Sequence, residues 1–211
     1  MFIVFEGLDG SGKTTQSRLL TERLKAANFE CLHTRQPTNG IIGKTAREFT
    51  QGGFGELDNE TIALLFAADR YQHFVKEIAP TLDAGKFVVC DRYYYSNMAY
   101  QGVDEAALER VISYNSAVMA QKKPDMVFFF DVTPQECMRR ITANRENLSI
   151  YETQARLEGL RQKYLASFNL LSAEENIIAI PADKLSAEEL SEKVWSYIFP
   201  ANQASTSKCT G

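Results

Sequence analysis

A doubly wound α/β fold, with five parallel strands and helices on both faces, is what this sequence predicts, on three observations. Five short runs read as strands, at Phe2–Phe5, Phe29–Thr34, Phe87–Cys90, Met126–Phe130 and Ile177–Ile180. Most of them are continuously apolar rather than alternating, as in strands buried on both faces. Between them, apolar residues return at the three- and four-residue spacing of helices, and strands alternating with helices make a parallel sheet. Finally, the first run feeds directly into the glycine-rich stretch Gly7-Leu8-Asp9-Gly10-Ser11-Gly12-Lys13-Thr14, which opens the first helix.

At 211 residues the chain suits one sizeable domain, taken as 1–199, with a polar, small-residue tail at 200–211 expected to be disordered. It is 45% hydrophobic and 24% charged with a net charge of −4, an ordinary globular balance without the basic excess of a nucleic-acid surface. No apolar run approaches a membrane span, and the four-residue apolar start without a basic flank reads as a core strand rather than a signal peptide. Cys31, Cys90, Cys137 and Cys209 form no C-x-x-C pair and read as reduced thiols of a cytoplasmic protein. With only His33 and His73 present, a histidine triad or zinc site is disfavoured.

In order along the chain, Leu19, Leu20, Leu24 and Ala27 mark a helix over Thr14–Ala27. The second strand ends in Arg35-Gln36-Pro37-Thr38-Asn39-Gly40, a loop of strong turn residues. A helix follows over Ile41–Phe49, then a flexible connection, Gln51-Gly52-Gly53-Phe54-Gly55. Asp58 caps a long helix to about Asp83, which Pro80 is expected to kink or shorten. Another helix spans Asp104–Gln121, and Thr133-Pro134 opens the next. The stretch Thr142–Ser149 is polar and carries arginine, and the lid is placed at about 142–150. Helical periodicity returns over Ile150–Leu171, and Ser186 caps a last helix holding Leu190, Val194, Trp195 and Ile198.

The glycine-rich stretch is a complete G-x-x-x-x-G-K-[ST] phosphate loop between a strand and a helix, which predicts binding of a nucleoside triphosphate. Its glycines let backbone N–H groups turn inward around a phosphate, and the following helix aims its positive end at the same anion. Lys13 would bridge the β- and γ-phosphates and Thr14 would ligate Mg²⁺. Gly7, Gly10, Ser11, Gly12 and Thr15 complete the phosphate set.

Ligands of such a sheet sit at the carboxyl ends of its strands. Asp91, closing the third strand, is the first candidate for the metal-side acid, and Arg92 reaches a phosphate; Asp131, closing an equally apolar strand, is the rival acid. Arg139, Arg140 and Arg145 fall in or beside the polar stretch, where an arginine-bearing segment between helices suits a closing lid. For Arg139 and Arg140 a solvated helix face is an equal reading; Arg145 is the favoured lid arginine. Phe66 and Arg70 share one helix face at i,i+4, an arrangement suited to stacking on a nucleobase and bonding its edge, although a phenylalanine alone is more often core. Tyr93, Tyr94, Tyr95 and Tyr100 are dense in aromatics right after Asp91-Arg92, with core packing the bland alternative for each.

From Phe2 to about Phe199 the chain resembles the thymidylate kinase family. The resemblance is carried by FEGLDGSGKTTQ at 5–16, TRQP at 34–37, LLFAADR at 64–70, CDRYYYSNMAYQG at 90–102 and FFFDVTP at 128–134. It implies transfer of a phosphoryl group from ATP–Mg²⁺ to dTMP, giving ADP and dTDP, by a homodimer. On that resemblance Asp9 holds the acceptor's 3′-hydroxyl, and Arg35 and Arg92 bind its phosphate. Phe66 stacks on thymine, Arg70 bonds its carbonyl edge, and Asn97 contacts the base. Tyr100 excludes a ribose 2′-hydroxyl, and Gln101 is a further candidate facing the nucleotide. Two departures stand out. Gly10 follows the loop aspartate where some members have a basic residue, which moves the catalytic arginine to the lid. Gln36 replaces the middle residue of the usual R-E-P or R-F-P, so that position has no inherited role.

An acceptor phosphate is largely dianionic at neutral pH, so the reaction requires positioning and charge neutralisation by Lys13, Mg²⁺, Arg92 and the lid rather than a general base. Three rival readings stand beside it. A GTP switch would need N-K-x-D after a strand, which neither Asp131-Val132-Thr133 nor Ala182-Asp183-Lys184 supplies. A kinase for another nucleoside monophosphate or nucleoside would share the architecture. A nucleotide-binding regulator without activity is disfavoured by intact Lys13, Thr14, Asp91 and Arg92.

Overall fold

Strand order in the sheet is β2-β3-β1-β4-β5, all parallel. The strands are β1 (Phe2–Gly7), β2 (Cys31–Arg35), β3 (Phe87–Asp91), β4 (Met126–Asp131) and β5 (Ile177–Pro181). The computed structural model describes residues 1–50, 58–143 and 150–200, the side chains of 150–153 excepted. Burial follows strand position. β1, β3 and β4 lie inside the sheet and are almost wholly buried, whereas β2 and β5 each pair on one side only and are half-exposed. That is why the second run, FECLHT, is the least apolar of the five.

Helices cover both faces: α1 (Lys13–Ala26), α2 (Ile41–Thr50), α3 (Asn59–His73), α4 (Ala79–Asp83), α5 (Tyr94–Gln101), α6 (Glu105–Met119), α7 (Pro134–Thr142), α8 (Ile150–Leu171) and α9 (Ala187–Ile198). Their starts follow capping chemistry. Asp58, Asp104 and Thr133 each accept a hydrogen bond from the backbone N–H three residues on, and Ser186 forms a reciprocal capping box with Glu189. Phe128, Phe129 and Phe130 pack fully buried with Phe2, Phe5 and the buried Tyr164 of α8.

Two elements need more than periodicity to describe. The long helix expected from Asp58 to about Asp83, kinked or shortened by Pro80, runs on as α3, a π-helical turn at Phe74–Ile78, and α4, in which Pro80 lies in the first turn. Proline has no N–H to donate and its ring crowds the carbonyl four residues back, so the turn before it widens and Ala79 N–H reaches Phe74 O instead. The run after Arg92, left unassigned by periodicity, forms α5. Its tyrosines Tyr94 and Tyr95, with Tyr93 before it, are fully buried core, so the aromatic cluster is structural apart from Tyr100. The lid at about 142–150 and the tail fall largely outside the described residues.

Candidate active site

All five strands point their carboxyl ends to one edge, and there β1 delivers the phosphate loop to α1. Gly10 and Gly12 have φ of +81° and +97°. A Cβ on Gly10 would stand 2.8 Å from the Cys137 carbonyl oxygen, while Gly12 faces open space. The first glycine is thus demanded by packing and conformation, the second by conformation alone. Lys13 is buried, and its ammonium donates to the Leu8 carbonyl at 2.6 Å. Burial, reinforced by the charge of Arg92, draws its pKa down to about 8.

Beside the loop, the Thr14 hydroxyl donates to Asp91 Oδ2 at 2.6 Å, and the other oxygen, Oδ1, is buried with no hydrogen-bond partner among the described residues. A hydroxyl and a carboxylate with an orphaned oxygen form an all-oxygen donor set suited to Mg²⁺, which takes one or two protein oxygens and completes its shell with water and phosphate. Asp131 is committed elsewhere: Arg161 grips both its oxygens, at 2.7 and 2.9 Å.

Arg92 has φ +72°, a conformation that costs a non-glycine residue about 1–2 kcal/mol. Its guanidinium donates to Asp9 at 2.5 Å, Ser96 Oγ at 3.0 Å and the Tyr164 hydroxyl at 3.2 Å, and lies over the Tyr100 ring at 5.5 Å. Behind it sits Glu6, fully buried. That carboxylate accepts from the backbone N–H of Tyr93 (2.7 Å) and Ser96 (3.2 Å) and from the Ser96 (2.7 Å) and Tyr164 (3.0 Å) hydroxyls. Burial pushes the Glu6 pKa up, against the pull of Arg92. For Asp9, burial would also raise the pKa, but Arg92, Lys13 and the Tyr100 hydroxyl hold it below the usual value. The sequence marks Glu6 only as a charge at a strand end, without a role, and gives Tyr164 none. A lone carboxylate inside FIVFEG was a visible signal for the first; Tyr164 read only as an apolar position of a helix.

A cleft of about 1110 Å³ runs from Arg35 and Tyr100 across the phosphate loop to Arg156 and Lys184. Arg139 and Arg140 line it from α7, each paired with Glu136 at 2.7 Å, and Arg140 also donates to the carbonyls of Ala182 and Asp183. Arg145 lies outside the described residues. Thr15 and Gln36 also line the cleft.

The remaining candidates lie outside that lining. Phe66 is half-buried and outside the main hydrophobic cluster. Arg70, Asn97 and Gln101 are buried. Arg70 donates from Nε to Gln36 Oε1 at 2.8 Å, from one terminal nitrogen to the side-chain oxygens of Asn97 (3.2 Å) and Asn115, and from the other to the Tyr93 carbonyl at 3.2 Å. Asn97 in turn donates to Gln101 Oε1 at 3.0 Å. Four of the five N–H groups of Arg70 are thereby satisfied by neutral acceptors, which leaves one without a partner among the described residues. Asn115 and His73, which belong to this cluster, carried no sequence motif, and Gln36 stood in the TRQP run at 34–37 without a role.

The thymidylate kinase family model matches residues 5–194 of the chain. The chain is 40% identical over 203 residues to the probable thymidylate kinase of Methanocaldococcus jannaschii, covering 94% of this chain and 95% of that protein. It is 42% identical over 175 residues to the probable thymidylate kinase of Thermococcus kodakarensis (78% and 82%). With the thymidylate kinase of a Synechococcus species it shares 38% identity over 203 residues, 95% of each chain.

Proposed function

The chain belongs to the thymidylate kinase family and is a dTMP kinase, and on that premise we propose how its own residues carry phosphoryl transfer from ATP to dTMP. The observation that carries the assignment is the coupling of the phosphate loop, through Thr14, to an Asp91 with a free buried oxygen. Backbone N–H groups of Gly10 to Thr15 and the Lys13 ammonium hold the donor's β- and γ-phosphates. Thr14 and Asp91 hold Mg²⁺, which when bound neutralises charge on the donor phosphates.

On the acceptor side, Arg35 and Arg92 take the phosphate of dTMP. Asp9 fixes both Arg92 and the 3′-hydroxyl, and Tyr100 fills the space a 2′-hydroxyl would need. Phe66 stacks on the base, and Arg70 gives its spare N–H to a thymine carbonyl. An oxygen of the dTMP phosphate, already deprotonated, attacks the γ-phosphorus while the bond to the β–γ bridging oxygen breaks and ADP departs. Lys13 and Arg92 spread the charge of that transition state, with Arg145 as the lid arginine.

The active unit is a homodimer built on α3. Leu64, Ala68, Tyr71 and Val75 are all exposed and recur at i, i+4, i+7 and i+11, one apolar seam from α3 into the following turn. Light scattering should give twice the monomer mass, and Leu64→Glu with Tyr71→Glu should halve it. Among the described residues no helix is long and apolar enough to cross a membrane.

The deciding experiment is ADP production with ATP–Mg²⁺ and each of dTMP, dUMP, dCMP, UMP, AMP, GMP and thymidine. Fast turnover of dTMP with little of UMP is expected. Equal turnover of UMP would overturn the role of Tyr100, and a preference for a purine monophosphate that of Phe66 and Arg70.

A further inference from the structure

The geometry points to Gln36 and His73 as positioning residues for Arg70: a neutral relay that holds the base-reading guanidinium in place only while His73 lacks its second ring proton. The inference rests on Arg70 reading the acceptor base. Three contacts compose the relay. Arg70 Nε donates to Gln36 Oε1 at 2.8 Å, Gln36 Nε2 lies 3.0 Å from His73 Nδ1, and His73 Nε2 lies 2.8 Å from the Thr34 hydroxyl. Gln36, His73 and Arg70 are all buried.

Chemistry fixes the direction of each bond. A guanidinium has no acceptor, so the Gln36 oxygen must face Arg70 and its NH₂ must face His73. Nδ1 of His73 must then accept, which places the single ring proton on Nε2, pointing at Thr34 Oγ1. A second proton on Nδ1 would oppose two donors. Turning the Gln36 amide over relieves that clash only by presenting NH₂ to Arg70 Nε–H, another pair of donors. Protonation of His73 therefore breaks one of the bonds that orient Arg70.

The surroundings favour the neutral ring. Burial lowers the His73 pKa below its usual value, opposed by Glu77, 3.8 Å away, and by Asp69, and assisted by the charge of Arg70. Asp69 is occupied by the Thr38 N–H and hydroxyl, at 2.8 and 2.5 Å. His73 and Lys76 line a second cavity of about 540 Å³, together with Thr14 and Asp91. A carboxylate at position 36 would pair with Arg70 but offer His73 no donor.

With two histidines in the chain, ring-nitrogen NMR of the whole protein resolves His73 once His33→Gln has assigned the other. At pH 8, Nδ1 should be unprotonated and Nε2 protonated; a proton on Nδ1 overturns the relay. Gln36→Leu should raise the KM for dTMP about tenfold, the loss of a hydrogen bond to a charged group, with the KM for ATP unchanged. Equal changes in both would overturn it. Gln36→Glu should raise the His73 pKa and flatten the acid rise in KM. The ratio of wild-type to variant KM for dTMP should then grow about fivefold from pH 8 to pH 5.5. Taking the ratio cancels the ionisation of dTMP itself, and a constant ratio overturns the proposal. Arg70→Ala separates the two layers: an unchanged KM for dTMP there sinks the base reading, whatever the state of His73.

Discussion

The donor-phosphate end and the acceptor-base end of the site are built on opposite plans. At the phosphate end, groups stand in unfinished arrangements: Lys13 is buried on a backbone carbonyl with its pKa drawn down to about 8, and Asp91 keeps an oxygen with no partner among the described residues. At the base end, Arg70 is almost fully satisfied by Gln36, Asn97, Asn115 and the Tyr93 carbonyl. Phosphate carries enough charge to repay reorganisation, so a loop of backbone donors and displaceable side chains suffices. A base offers a few neutral groups, so discrimination demands donors whose positions are set beforehand. The lesson is that charge is captured by what is left open and shape by what is already closed.

Substitutions can break this contrast, beginning with the largest effect. Lys13→Ala should cut kcat about a thousandfold while shifting dTMP affinity little, because it removes charge that matters most in the transition state. A comparable loss of dTMP affinity would merge the two ends. Arg70→Ala should raise the KM for dTMP about a hundredfold and leave that for ATP alone, since it strips several partners from a buried polar cluster at once. A thermal melt of the same variant checks that the cluster has not simply unfolded.

Smaller effects sharpen it. In the free enzyme Lys13 loses its proton as pH rises through about 8, so kcat/KM for ATP should fall above that pH. The kcat profile should hold to higher pH, because bound phosphate restores the charged form. Identical profiles for the two parameters would deny that phosphate completes the site. Phe66→Ala should cost about tenfold in the KM for dTMP, the worth of one ring stacked on a base. Its effect on stability should be slight, since Phe66 lies outside the main cluster.

At the candidate site, legibility divided along the same line. The phosphate loop, Asp91 and Arg92 lie within short contiguous motifs, because backbone geometry and one strand end place them together. The cluster around Arg70 draws on β2's trailing loop, α3, α5 and α6, and Gln36 stood out only as a departure. Glu6 and Tyr164 meet across 158 residues of chain, which no local pattern encodes.

By itself the sequence determined the strand–helix alternation, the caps at Asp58 and Ser186, the helix starts at Asp104 and Thr133-Pro134, and the phosphate loop, since each depends on residues a few positions apart. Only the tertiary structure decided which strands lie at the edge, that Asp131 belongs to Arg161 while Asp91 faces Thr14, and that Gln36 bridges Arg70 and His73. Local rules govern φ, ψ and nearest hydrogen bonds; the partner of a buried charge is chosen by the whole fold, because desolvation makes an unpaired group costly wherever the chain happens to bring it.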